Sequence, residues 1–432
     1  MIINSYGAAG QVTGSCHQVI STQTFLLDCG LFQGTKEVDA QNMRTLPFDP
    51  SALNFVLLSH AHLDHCGRLP LLTKGGFRGP IYTTKATRDL AELILRDSAK
   101  IQGMQRAPLY SEADVEDVIS RFYPVEERQE KNHGDIIFSF HSAGHLLGAH
   151  WIKVKTPEGI LAFSGDLGRY ECVFYPQPEE LGNIDYLILE STNGARITPP
   201  IKEGLKTLYE EIKKCIFEKR TVVIPAFSIG RTEEVLSALV NLALEETNTS
   251  FFETPIFVDS KLARSGLNVY HQYPSLHKIP LQNLMPRNLF LGDLRQTNSL
   301  KREEAKILIS ASGMMEGGPV LFHAKKYLPD ERATFFIVGY QGEGTLGRRL
   351  LMGEKNIRIL DTDIEVKAPI VQISGLSGHA DINDLTRFVS TARGLKNILL
   401  VHGEPASLEG VKSVFDKDYK VHIQEFNQPF EL

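Results

Sequence analysis

The sequence predicts an α/β protein in which one α/β domain is interrupted by a second, inserted α/β domain. Three observations predict it. Near both ends of the chain, short apolar runs of strand length end in acids or histidines, or stop just before them. Between about residues 195 and 368 the rhythm changes to strands alternating with helices, the mark of parallel β/α units. After 369 the strand-then-histidine style returns. The expected domains are therefore 1–194 with 369–432, interrupted by 195–368. A chain of 432 residues suits two or three domains at roughly 150 residues each.

In chain order, 24–28 and 54–59 read as strands, as do 136–140, 160–164 and 186–190. Between them, Leu90, Leu93, Ile94 and Ile101 recur three and four apart or at multiples of that spacing, which predicts a helix over 85–102 with these residues inward. In the middle section, strand 221–226 precedes a helix opened by Gly230-Arg-Thr-Glu-Glu-Val-Leu. Strand 254–259 leads into a helix at Lys261, strand 306–311 into a Gly-rich turn and a further helix, and strand 334–338 follows. The final section carries strand 371–374, a helix over 381–391 and strand 398–401.

Composition excludes several classes. Hydrophobic residues are 42% and charged residues 23%, which is globular rather than disordered. No apolar run reaches the roughly 18 residues of a spanning helix, so no membrane partner is expected. The N-terminus shows no basic region followed by an apolar stretch, so no secretory signal is expected. Lys+Arg is 46 against 52 Asp+Glu, a net of −6, which argues against a broad basic face but not against a local basic groove. Five scattered cysteines without a C-x-x-C pair are expected to be free thiols in a reducing cytoplasm.

The strongest chemical signal is Ser59-His-Ala-His-Leu-Asp-His65. Alternation at the end of a strand would put the imidazoles of His60 and His62 on one side. Asp64 and His65 follow where the chain should turn. Imidazole suits zinc, and carboxylate completes its shell. Farther along, His145, Asp166 and His402 each follow a strand or a tight Gly turn. Together these are seven ligands, enough for two metals sharing a bridge.

His-x-His-x-Asp-His with the later His, Asp and His resembles the metallo-β-lactamase superfamily, whose fold is an αββα sandwich. The resemblance implies that His60, His62 and His145 hold one metal, that Asp64, His65 and His402 hold the other, and that Asp166 bridges them. It implies that Asp28, an acid ending an early strand, orients a ligand imidazole. His62 stands where the diiron branch has an acid, which favours zinc over iron. A second layer of motifs narrows the family: Glu190-Ser-Thr-Asn-Gly194, Pro225-Ala-Phe-Ser-Ile-Gly-Arg-Thr-Glu-Glu234, Ser310-Ala-Ser-Gly-Met-Met-Glu-Gly-Gly318, Gly339-Tyr-Gln-Gly-Glu-Gly-Thr-Leu-Gly-Arg348 and Ser377-Gly-His-Ala-Asp381. These resemble blocks of the β-CASP group, and most of all its compact RNA-processing ribonucleases related to the cleavage and polyadenylation endonuclease. Asn193, Ala195 and Gly378 depart from the family pattern, which has Tyr, an acid and Ala there. No segment matches the C-terminal domain of the ribonuclease J branch or the leading RNA-binding domains of the archaeal branch.

What the resemblance implies is a ribonuclease with two Zn²⁺ per chain that hydrolyses single-stranded RNA to 5′-phosphate and 3′-hydroxyl ends. Two zinc ions about 3.5–4 Å apart can activate a bridging hydroxide. His379 would protonate the leaving 3′-oxygen, with Glu190 keeping it charged and Asp64 completing the catalytic set. Ser228, Arg231 and Thr232 sit at a strand-to-helix junction suited to anions, and Arg348, Arg349 and Ser377 add further phosphate contacts. Endonuclease and 5′-exonuclease action both stay open, as do DNA as substrate and a homodimer. A lactam or thioester hydrolase of the same fold needs no phosphate-lined second domain, and a non-enzymatic relative would have lost ligands that are all present here.

Overall fold

The computed structural model describes residues 1–104, 106–291, 304–342 and 344–432. Glu343, inside the 339–348 motif, lies outside the described residues. The chain divides into two compact units, Met1–Ile197 with Gly378–Leu432, and Thr198–Ser377. These divides fall later than the expected 194/195 and 368/369, for hydrogen-bonding reasons. The Arg196 carbonyl accepts the Ile382 amide at 3.2 Å, which ties 195–197 to the first unit. Strand Ile370–Gln372 pairs with Ala333–Ile337, which keeps 369–377 with the inserted one.

Among the described residues, the first unit contains two seven-stranded sheets. One runs Phe430–Glu431, Ile2–Ser5, His17–Ile20, Thr24–Leu27, Phe55–Leu57, Ile81–Thr84, Phe122–Val125. The other runs Lys420–Ile423, Asn397–Val401, Tyr186–Glu190, Gly159–Phe163, His150–Thr156, Ile136–Ser142, Lys131–His133. Side chains two apart share a face, so Phe25 and Leu27, Phe138 and Phe140, Ile152 and Val154, and Leu161 and Phe163 all enter one core. Phe25 and Phe55 stack in it with ring centroids 4.7 Å apart. Helix Lys85–Gln102 packs on Ile81–Thr84 and Phe122–Val125, and helix Pro405–Phe415 on Asn397–Val401 and Lys420–Ile423. The result is the expected helix–sheet–sheet–helix layering.

Helix Lys85–Gln102 has the expected bounds but not the expected inner face. Leu90 and Ile94 are buried, Leu93 only half-buried and Ile101 54% exposed. The buried stripe is centred on Ala91, Leu95 and Ser98 instead. Polar residues can sit there because they are satisfied: Ser98 Oγ bonds the Tyr110 hydroxyl at 2.8 Å, and Gln102 Oε1 accepts the Leu109 amide at 3.0 Å.

The inserted unit contains a six-stranded parallel sheet ordered Leu289–Leu291, Ile256–Asp259, Lys306–Ser310, Thr221–Pro225, Ala333–Ile337, Ile370–Gln372. Its three central strands are buried along their whole length, as expected of a parallel sheet covered on both faces. Val223, Leu308 and Phe335 form one core layer with Val320 and Ala324 of helix Val320–Tyr327. Strand Thr221–Pro225 continues through helix Arg231–Glu245 to Ile256–Asp259, beyond Lys306–Ser310. Strand Ala333–Ile337 continues the opposite way, to Ile370–Gln372. Among the described residues, no helix is long and apolar enough to cross a membrane, and Cys16, Cys29, Cys66 and Cys215 are free thiols.

Candidate metal centre

The site is built from chain segments that have just left strands of the first unit. Asp28 follows Thr24–Leu27 and takes the left-handed conformation at φ 60°. His60 and His62 lie beyond strand Phe55–Leu57, not on it, so strand alternation does not place them. Instead the chain crosses a short loop into helix Leu63–Cys66, whose first turn carries Asp64 and His65. Asp166 follows Gly159–Phe163, and His402 follows Asn397–Val401. His145 comes from the loop between Ile136–Ser142 and His150–Thr156. That loop and the Asp166 loop touch backbone to backbone. A Cβ on Gly168 would lie 1.9 Å from the Gly144 carbonyl oxygen, so only glycine lets His145 and Asp166 approach.

All seven predicted ligands come together. Ligand atoms of His60, His62, His145 and Asp166 lie within 4.8 Å of one another, and so do those of Asp64, His65 and His402. Asp166 spans the two groups with its two oxygens. Its Oδ2 is 3.6 Å from His60 Nε2 and 3.7 Å from His145 Nε2. Its Oδ1 is 3.2 Å from His65 Nε2 and 3.7 Å from His402 Nδ1. Asp64 Oδ2 is 3.5 Å from His402 Nε2.

Four of the imidazoles are held from behind through Nδ1. His60 faces Ser59 Oγ at 3.1 Å, His65 faces Asp28 Oδ2 at 2.7 Å, His145 faces the Gly378 carbonyl at 3.1 Å, and His402 faces Thr192 Oγ1 at 3.0 Å. Asp28 is itself fixed by the Ser59 amide and hydroxyl, both at 2.8 Å, and by Ser15 Oγ at 3.3 Å. Behind Ser15, His17 bonds Ser5 Oγ at 2.7 Å, and burial with the nearby His402 and His65 pushes its pKa down to about 3. Holding Nδ1 fixes the ring and leaves Nε2 free to bind a metal.

The inward atoms fit a cation. His65 Nε2, His402 Nε2 and Asp166 Oδ1 are buried and find no hydrogen-bond partner in the protein. Leaving such atoms bare is costly, and a bound metal removes the cost. His62 Nδ1 lies 3.1 Å from His60 Nε2 and 3.3 Å from His145 Nε2, so three ring nitrogens crowd around one point. The donor set of imidazoles and carboxylates suits zinc. Charges are divided accordingly. Burial opposes ionisation of Asp64, yet the imidazoles of His65 and His402 hold its pKa down to about 2. Burial keeps His60 and His145 neutral well below the usual histidine range and takes His62 down to about 4.

His379 lies beside this set. Its Nδ1 is 3.3 Å from Glu190 and 3.9 Å from Asp166 Oδ2. Burial disfavours its charge, but Glu190 and Asp166 outweigh burial and raise its pKa to about 9. Glu190, at the end of strand Tyr186–Glu190, also accepts the Leu167 amide at 2.7 Å. The three family departures lie close to these groups or pack within the same unit. Asn193 Nδ2 donates to the His379 and Ala380 carbonyls at 2.9 and 3.1 Å, so the amide holds the backbone carrying His379. Gly378 contributes its carbonyl to His145, which any residue could do. Ala195 packs against Gly410, where a Cβ would lie 3.1 Å from its methyl.

The six predicted phosphate contacts belong to the inserted unit, and four of them already have protein partners. Arg231 pairs with Glu234 at 2.7 Å, Arg349 with Glu354 at 2.7 Å, and Ser228 Oγ with Ser260 Oγ at 2.9 Å. The Thr232 hydroxyl donates to the Phe227 carbonyl at 2.7 Å, so it is a helix-start brace rather than a waiting ligand. Arg348 is exposed and Ser377 half-buried. Sequence reasoning missed Ser59, Thr192, Ser15 and the Gly378 carbonyl. Ser59 and Thr192 stand beside residues already singled out, and that adjacency was the available signal.

Comparison with known proteins agrees with this picture. Residues 13–224 match the metallo-beta-lactamase superfamily, 232–350 the Beta-Casp domain, and 363–424 a Zn-dependent metallo-hydrolase RNA specificity domain. A ribonuclease of Thermus thermophilus is 33% identical, with 94% of each chain covered. An RNase J-like protein of Methanocaldococcus jannaschii is 31% identical over 94% of this chain and 93% of its own length. The transcription termination factor FttA of the same organism is 30% identical over 93% of this chain and 67% of its own. A crystal structure of a protein of unknown function from Enterococcus faecalis V583 covers 100% of this chain and 99% of its own, with a TM-score of 0.58 at 15% identity, a likeness of fold.

Proposed function

Because the chain belongs to the β-CASP group of the metallo-β-lactamase superfamily, we propose that it is a ribonuclease that hydrolyses phosphodiester bonds of single-stranded RNA, leaving 5′-phosphate and 3′-hydroxyl ends. The reading is supported by the names of two relatives, a ribonuclease and an RNase J-like protein, and by the match to an RNA specificity domain. The observation that carries it is the division of the Asp166 carboxylate between two ligand groups, with His379 and Glu190 at its edge.

In this reading, His60, His62 and His145 would hold one zinc, Asp64, His65 and His402 would hold the other, and Asp166 would serve both. When bound, zinc supplies Lewis acidity: it draws charge from phosphoryl oxygens and makes water nucleophilic near neutral pH. The protein does the rest. Asp28, Ser59, Thr192 and the Gly378 carbonyl keep the ligand rings aimed inward. His379 carries a proton at neutral pH and gives it to the leaving 3′-oxygen. Glu190 keeps that imidazole charged, and Asn193 holds its backbone in place. Ser228, Arg231 and Arg348 guide the RNA phosphates, and Arg231 exchanges Glu234 for a phosphate when RNA binds. Thr232 shapes this helix start, and Arg349 and Ser377 lie farther along the same path.

One RNA labelled in turn at each end and incubated with the zinc-loaded protein tests this. Products with 5′-phosphate and 3′-hydroxyl ends, formed only with metal, are expected. Products ending in 2′,3′-cyclic phosphate would mean that the RNA's own hydroxyl attacks, which this site is not built to assist.

A further inference from the structure

We propose that Phe227 and Tyr340 form a base-stacking subsite for single-stranded RNA at the carboxyl edge of the inserted sheet. The inference rests on the ribonuclease reading above and adds to it a recognition element that touches bases rather than phosphates.

Topology marks the place. Strands Thr221–Pro225 and Ala333–Ile337 are parallel neighbours, with Val223 opposite Phe335. From their carboxyl ends the chain leaves in opposite directions, toward Ile256–Asp259 from one and toward Ile370–Gln372 from the other. In open α/β sheets such a reversal opens a crevice between the two departing loops, and ligands bind there. Phe227 lies two residues beyond the first strand and Tyr340 three beyond the second.

Both rings are held in place yet open to solvent. Each is 42% exposed. Gly313, from the loop after Lys306–Ser310, lies against Phe227: a Cβ there would sit 3.1 Å from both the ring Cδ2 and the Phe227 amide nitrogen. At Gly342 a Cβ would sit 3.8 Å from Tyr340 Cε1 and 3.7 Å from Met314 Sδ. Gln341 Nε2 donates to the Gly313 carbonyl at 2.9 Å, and the Gly347 amide to the Met314 carbonyl at 3.3 Å. These bonds join the loops after Lys306–Ser310 and Ala333–Ile337, and Gly313 packs the first of them against the Phe227 loop. The two rings are therefore not isolated exposed residues of the kind that need no explanation.

The surrounding charge selects the ligand. Ser228 and Arg231 follow Phe227 in the chain, and the exposed Arg348 follows Gly347, whose amide donates to the Met314 carbonyl. Exposed flat rings with arginines close by in the chain, Arg231 paired with Glu234 and Arg348 exposed, match a ligand that repeats a flat base and a negative phosphate. Base–aromatic stacking is sequence-tolerant because every base has a π-face, and it requires unpaired bases.

Binding of a 2′-O-methyl RNA oligonucleotide containing 2-aminopurine to the zinc-loaded full chain tests the proposal. Phe227→Ala and Tyr340→Ala should each weaken binding roughly 5- to 100-fold and restore the fluorescence that stacking quenches. The slope of affinity against salt should stay the same, because no phosphate contact is lost. Phe227→Trp and Tyr340→Phe should bind like the wild type, which separates ring stacking from a folding defect. An oligonucleotide with abasic positions should bind the wild type as weakly as the intact one binds the alanine variants. Alanine variants that bind normally, that lose as much affinity for abasic RNA, or that flatten the salt slope would overturn the subsite. Wild-type protein that neither binds nor cleaves single-stranded RNA would remove the ribonuclease reading itself. Cleavage that is normal in wild type and in both alanine variants would remove the stacking subsite alone.

Discussion

The first unit and the inserted unit both place polar side chains at strand ends, but they treat them differently. In the first unit the inward atoms of His65, His402 and Asp166 are buried with no hydrogen-bond partner, while the outward atom of each ring is held. In the inserted unit the corresponding charges are already paired: Arg231 with Glu234, Arg349 with Glu354, and His323 with Asp259 at 2.8 Å. The first arrangement is incomplete without a cation. The second is complete, and in the proposed RNA path Arg231 would exchange Glu234 for a phosphate. The comparison teaches that orphaned inward atoms mark a cation site, whereas the proposed nucleic-acid path rests on exposed rings and on ion pairs that are already closed.

If this contrast is right, the largest effect comes from the residue that both ligand groups share. Asp166→Asn should abolish RNA cleavage and reduce bound zinc at both positions, read by elemental analysis beside the activity assay. Retained zinc with retained cleavage would break the shared-carboxylate account.

His379→Ala comes next, with an expected loss of roughly 10²–10⁴ in rate and zinc content near wild type. A nitrophenyl phosphodiester, whose leaving group needs no proton, should suffer far less. The pH profile sharpens the point. In the proposed mechanism His379 acts in its protonated form, and Glu190 and Asp166 raise its pKa to about 9 against burial, so activity should fall as pH rises through that value. Glu190→Gln removes a charge that raises this pKa, so the alkaline fall should move to lower pH. An unmoved limb would separate Glu190 from the proton donor.

Asp28→Asn should cost about 10–100-fold in zinc affinity, because His65 would lose the carboxylate that fixes its ring. Zinc titration monitored by a competing chelator would measure it.

The inserted unit offers the counter-case, a buried acid with no metal to satisfy. Both Glu233 oxygens lack a hydrogen-bond partner. Burial raises its pKa to about 8. The folded state therefore binds this proton more tightly than the unfolded chain does. Stability from this group is full below the unfolded carboxyl pKa and is lost as pH rises toward about 8. Glu233→Gln should remove that slope and raise the melting temperature at pH 8 relative to wild type. The smallest effect is expected from Arg231→Ala, which should lower the salt slope of RNA binding by about one. An unchanged slope would mean that the Arg231–Glu234 pair stays closed.

The seven gathered ligands were legible because ligand chemistry leaves residue types at strand ends where packing needs none. The reasoning behind two of them was not sound, since His60 and His62 are placed by the loop between strand Phe55–Leu57 and helix Leu63–Cys66 rather than by strand alternation. Their supports were not legible. His145 meets the Gly378 carbonyl and His402 meets Thr192 across more than two hundred residues of sequence, so no local pattern announces them. The helix over 85–102 was legible in extent because its period is strong. Its inner face was not, because Ser98 and Gln102 are buried through hydrogen bonds that an apolar count ignores. The inserted parallel sheet was legible as alternating elements, but not its strand order, on which the crevice beside Phe227 and Tyr340 depends. The second boundary was misplaced because Ile370–Gln372, a strand of the inserted sheet, reads in sequence like those of the final section.

The central claim is that one shared carboxylate organises a two-zinc centre that cleaves RNA by water attack. Running the reaction in ¹⁸O-labelled water, with zinc-loaded wild type and Asp166→Asn side by side, tests it most directly. The account predicts one ¹⁸O in each new 5′-phosphate from the wild type and no product from the variant. Label on a 3′-phosphate, or equal cleavage by the variant, would contradict it.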